Sequence, residues 1–161
     1  MKIFYIKVYD NFDVIFRLII CKTKKEMYKA RQKYDISEKG IDTGKEWLGC
    51  FTPMAYHTNG DDIRLPGSFH SNVFGTVYLN LDDLYKQGDK VIVHECGHAA
   101  FAFEHYLRCY IGNFRNVNNY EHEANGGGDE QEVFCNFLEN AFDKARQAVK
   151  EYKASLNRQG L

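Results

Sequence analysis

The stretch Val91-Ile-Val-His-Glu-Cys-Gly-His-Ala-Ala100 carries most of what the sequence says about its fold. On a helix, residues four apart stack on one face, so the imidazoles of His94 and His98 lie one turn apart and can grip a single Zn²⁺. Glu95 follows the first of them and is placed to take a proton from water, not to bind the metal. Glu95 apart, no charged residue or proline interrupts residues 91–103, and Ile92, Cys96, Ala99, Ala100, Phe103 and Leu107 fall on the arc opposite the histidines. The pattern predicts a helix with one buried face and one face on a cleft. The plainer alternative is a helix whose histidines merely border a core.

Composition sets the frame around that helix. The chain has 161 residues, 44% hydrophobic and 15% aromatic, which suits one compact domain over 1–161. Its net charge of −1 supplies no basic face for a phosphate backbone, and the small cluster Lys22-Thr-Lys-Lys25 reads as a solvated helix start, so no nucleic-acid partner is expected. Five cysteines (Cys21, Cys50, Cys96, Cys109, Cys135) are odd in number and form no Cys-x-x-Cys pair. They read as reduced, mostly buried thiols of a cytosolic protein. Met1 to Tyr9 alternates charged and apolar residues instead of building a signal-peptide core, and no apolar run is long enough to span a membrane. A soluble, cytoplasmic protein is the expectation.

In chain order, Lys2 to Tyr9 and Asp13 to Lys22 read as two strands of a hairpin, with Asp10-Asn-Phe-Asp13 as the turn. Thr23 can cap a helix to about Tyr34 in a capping box with Glu26, and that helix is expected to lie across the hairpin. Residues 35–70 are rich in Gly, Asp, Ser and Thr and hold both prolines, which predicts loops around a short strand at Trp47 to Thr52. Gly75 to Leu81 alternates Val77, Leu79 and Leu81 against Thr76, Tyr78 and Asn80, and should stop at Asp82-Asp83. This strand should lie beside the histidine helix. In zinc peptidases a strand at this place commonly forms the upper rim of the cleft, where an extended peptide can add to a free edge, and that role is expected here against the plainer reading of an ordinary core strand with no substrate contact.

Two histidines underhold a catalytic zinc, so a third ligand is needed. A histidine at 104 after a glycine at 101 would supply it in one subclass, but those positions hold Phe101 and Glu104. His105 lies about 10 Å along the axis from His98, too far for the same ion. The candidates are downstream: Glu121, Glu123, Glu130, Glu132 and His122, around Asn125-Gly-Gly-Gly128. From Asp129 a long helix is expected, with Phe134, Phe137, Leu138, Ala141, Phe142, Ala145, Ala148, Val149 and Tyr152 on one face. Glu130 projects onto that buried arc; Glu132 and Asn136 lie four apart in the first turns.

Here the chain resembles the gluzincins, whose second helix carries Asn-Glu-x-x-Ser-Asp or, in small cytosolic and phage-type members, Glu-x-x-Ala-Asn. The counterpart is Gln131-Glu132-Val-Phe-Cys135-Asn136. The resemblance implies Glu132 as third zinc ligand, Cys135 at the small position where the two helices approach, and Asn136 steadying a ligand histidine. Cys135 departs from Ser or Ala, and Asn136 from the acidic partner of larger gluzincins. Gly75 to Leu138 is similar to small metallopeptidases encoded by phages and mobile elements, and more distantly to the ImmA/IrrE-type peptidases. The implied architecture is α+β, a minimal zincin core: a small twisted, mostly antiparallel sheet packed on a metal-site helix and a long C-terminal helix. The implied function is zinc-dependent peptidase, acting on a peptide or protein in the cytosol, a phage host's included. Tyr120 and His122 are candidates for steadying the oxyanion, against the plainer reading of both as surface residues. The alternative function is a zinc-stabilised protein-binding module, which could dispense with Glu95.

Overall fold

Two strands form the middle of a four-stranded sheet. β2 (Ile15–Cys21) and β4 (Val73–Asn80) are buried along their whole length, as strands covered on both faces must be. The computed structural model describes residues 1–9, 15–34, 48–53, 73–110 and 130–158, with the side chains of 104–110 and 130–133 outside the described set. β1 (Lys2–Lys7) pairs antiparallel with β2, from Lys2 opposite Ile20 to Lys7 opposite Ile15, which is the expected hairpin; its turn lies outside the described residues. β2 then pairs in parallel with β4, and β3 (Gly49–Pro53) pairs antiparallel with β4 at the far side. The order is β1-β2-β4-β3, so two of the three pairings are antiparallel. Between Ile15–Val73 and Arg17–Thr76 the register advances two residues on β2 and three on β4. That extra residue lets Phe74 and Val77, three apart, join the same core.

Helices cover both faces. On one, α1 (Lys24–Tyr34) sets Met27 and Ala30 against Ile19, Cys21, Cys50 and Tyr78. The Thr23 hydroxyl accepts from Glu26 N–H at 3.2 Å, as the capping pattern requires. The reciprocal half differs: the Glu26 carboxylate reaches past Thr23 and accepts from Lys22 N–H at 2.6 Å. Below α1 the Arg17 guanidinium is buried and donates to the Thr76 hydroxyl at 3.0 and 3.2 Å.

The other face carries α3 (Lys90–Tyr110) and α4 (Glu130–Arg158). Ile92, Cys96, Ala99, Ala100 and Phe103 of α3 are buried with Phe137, Ala141, Ala145, Ala148, Val149 and Tyr152 of α4. Alanines on both helices leave room for close approach. Phe103 and Phe137 stack at 4.4 Å between ring centroids, and Phe74 of β4 packs on both at 5.7 Å.

α2 (Leu81–Gln87) was not expected from the sequence, which reads Asp82-Asp83 as a strand stop. Its signal lies in the end of β4. The Asn80 side chain accepts from Asp83 N–H at 2.9 Å and donates to the Asp83 carboxylate at 2.8 Å, capping the helix as the strand finishes. Gly88, at φ 65°, closes it, and α3 starts two residues later. Among the described residues no helix is long and apolar enough to cross a membrane.

Candidate metal centre

The sheet-facing arc of α3 fixes the rotation of the helix, and that rotation turns His94 and His98 outward. Both are exposed on a cleft of about 740 Å³ whose other wall is Leu48 to Phe51 of the β3 region. Their rings sit 4.7 Å apart at 86°, and their Nε2 atoms are 3.2 Å apart. One ring can donate to the other across that distance, or two lone pairs can converge on a shared cation. A tetrahedral zinc with Zn–N of 2.0–2.1 Å separates two nitrogens by about 3.4 Å, close to the separation of this pair. Partial burial, with His94 as the second cause, holds His98 below the usual imidazole pKa and favours the neutral form a metal needs.

Glu95 behaves differently from its neighbours. It is only 4% exposed, tucked between α3 and the start of β3. Burial pushes its carboxyl up to about 7, against the opposing pull of the Arg31 guanidinium on α1. A carboxyl near pH 7 can both accept and release a proton. Cys96, next in sequence, belongs to the core: burial first, and the Glu95 charge second, push its thiol up to about 12. It is an inert thiol, not a ligand.

β4 is not the rim of this cleft. It is paired on both sides, with β2 and with β3, and has no free edge. Among the described residues the edge strand beside the histidines is β3, antiparallel to β4 from Gly49 opposite Leu79 to Pro53 opposite Gly75. Local pattern favours β4, the longer and more regular alternation, over the five residues of β3, and carries no information on which strand lies at the edge.

Of the expected site, His94, Glu95 and His98 come together. Glu132 lies in the first turn of α4, as does Glu130, with side chains outside the described residues. The start of α4 is held to α3 by Phe134 and Phe101, 4.8 Å between ring centroids. Asn136 is half-buried on α4. Cys135 is exposed, so it does not fill a gap between the helices. Among the described residues no group of three or more His, Cys, Asp or Glu forms a metal cage. Tyr120, Glu121, His122, Glu123 and Gly126 to Gly128 lie outside the described residues, as do the side chains of His105 and Cys109. Gly49 was missed: a lone glycine in a short strand marks close approach of another group.

No family model matches the chain, and neither the search of curated proteins nor that of solved structures found a match.

Proposed function

We propose that the chain is a zinc-dependent peptidase of gluzincin type, with His94, His98 and Glu132 holding one zinc and Glu95 handling the proton. The observation that supports this is the pairing of two cleft-facing imidazole nitrogens 3.2 Å apart with a buried carboxyl on the adjacent residue. Glu132 enters through its place in the first turn of α4 and through the motif, with Asn136 one turn further on to steady a histidine. When bound, zinc supplies the Lewis-acid polarisation of water and scissile carbonyl. Glu95 takes the proton as water adds to the amide carbon, then delivers it to the departing amine, leaving one carboxylate and one amine product. An extended substrate would add to the free edge of β3, where main-chain hydrogen bonds hold it across the histidines. The histidines steady the ion and the apolar cleft wall at Leu48 and Phe51 excludes water around the reacting bond. A cytosolic setting suits Cys21, Cys50 and Cys96, which are buried and in no disulfide.

The test compares wild type with Glu95→Gln on a peptide library, with zinc measured per chain. The expected result is one zinc in both proteins and cleavage lowered about 10²- to 10⁴-fold in the variant. Equal cleavage by both would remove Glu95 from the chemistry. Zinc in both with cleavage by neither would favour a zinc-stabilised binding module.

A further inference from the structure

Glycine inside a strand is costly, because it loses more freedom on folding and offers nothing to pack. Gly49 opens β3, yet its backbone does not require glycine: among the described residues only Gly88 has a positive φ. Its reason is space. A Cβ at position 49 would lie 2.9 Å from Glu95 Cγ, 3.0 Å from Glu95 Oε1 and 3.1 Å from the Tyr78 carbonyl oxygen. The Tyr78 oxygen belongs to the central strand β4 and cannot move without breaking the β3–β4 ladder. The Glu95 side chain is therefore the partner that would have to leave. At Gly75, on the facing strand, a Cβ would strike the Phe51 ring. One glycine of this strand pair houses a hydrophobic ring; the other houses an acid.

We propose that Gly49 is a positioning residue: the missing side chain forms the seat that holds the Glu95 carboxyl beneath the edge strand, beside the histidine pair. The seat is a matter of contact geometry, while its catalytic consequence rests on the peptidase reading given above. A methyl group at 49 pushes the carboxyl out of line with the histidines. The three atoms nearest such a methyl belong to Glu95 and to the Tyr78 carbonyl and none to His94 or His98, so the metal pair is expected to keep its place. Displacements of about 1 Å at a catalytic group cost on the order of 100-fold in rate.

The experiment is a double-mutant cycle with Gly49→Ala, Glu95→Ala and the pair, read three ways: zinc per chain, kcat and KM on a cleaved peptide, and the urea midpoint of the zinc-free protein. Gly49→Ala is expected to keep its zinc and its KM, lose about 100-fold in kcat, and unfold at lower urea than wild type. In the Glu95→Ala background, where Cγ and the carboxyl are gone, the same substitution should no longer lower the midpoint. An equal drop in both backgrounds, or an unchanged kcat, overturns the proposal. If Gly49→Ala does not fold alone, recovery of folding in the double variant supports the seat and continued failure refutes it. If Glu95→Ala cleaves as well as wild type, the peptidase reading fails and the positioning role falls with it, while the midpoints still report whether the contact exists.

Discussion

On the sheet side of α3, Ile92, Cys96, Ala99, Ala100 and Phe103 are sealed from water, whereas on the cleft side His94, His98 and Phe101 face solvent. One face holds the fold together by area: each large apolar side chain contributes about 1.5–3 kcal/mol on burial. The other face contributes little to stability and keeps its polar atoms free for a ligand. Glu95 sits at the seam. It belongs to the histidine motif by sequence and to the interior by burial, so the demands of chemistry and of folding meet on one side chain. The buried arc of α3 thus sets the rotation at which the histidines meet the cleft.

The largest effect should come from the sealed face. Phe137→Ala removes a ring that stacks on Phe103 and touches Phe74, and should destabilise the protein by about 3–5 kcal/mol in urea unfolding. His98→Ala, measured in zinc-free protein, should change stability by no more than about 0.5 kcal/mol. Comparable losses from both would erase the distinction between the faces.

At the seam, the expected effect is intermediate and depends on pH. Glu95 is raised from 4.5 to about 7 in the fold, so the folded state disfavours its ionised form. Stability from this group is therefore complete below pH 4.5 and declines as pH rises through about 7, by up to about 3 kcal/mol. Glu95→Gln cannot ionise. Chelator-stripped variant and wild type should unfold alike near pH 4, and the variant should be the more stable at pH 8; parallel curves would mean that the carboxyl is solvated.

The smallest effect tests the helix itself. A Cβ at Gly97 would meet no described atom within 4 Å, so glycine there is only a weak point of α3. Gly97→Ala should raise stability by about 0.5–1 kcal/mol. A loss would show that the glycine is needed for a close approach on the cleft side.

Much of the frame was readable from local patterns. The β1–β2 hairpin, the span of α1, the presence of a strand over most of Gly75 to Leu81 and the continuous face of α4 all follow from periodicities of two and 3.6 and from turn and cap residues. The inner arc of α3 was readable for the same reason, and the cleft face of His94 and His98 followed as its complement. Elements were misread where a residue had two roles. Asn80 closes a strand and caps a helix at once, and α2 was lost in that overlap. Cys135 fits the motif as a small residue between helices, but its exposure depends on how α4 rolls against α3, which one residue cannot announce.

That two imidazoles and a carboxyl share one helix follows from a four-residue spacing and an apolar arc, which are local properties of the chain. Which strand stands at the edge among the described residues, and the burial of the carboxyl against Gly49 while the histidines face water, came from the fold. Strand order and close approach depend on contacts between residues far apart in sequence. Glu95 and Gly49 meet because β3 folds back on β4 over α3, and no spacing within either segment records that meeting.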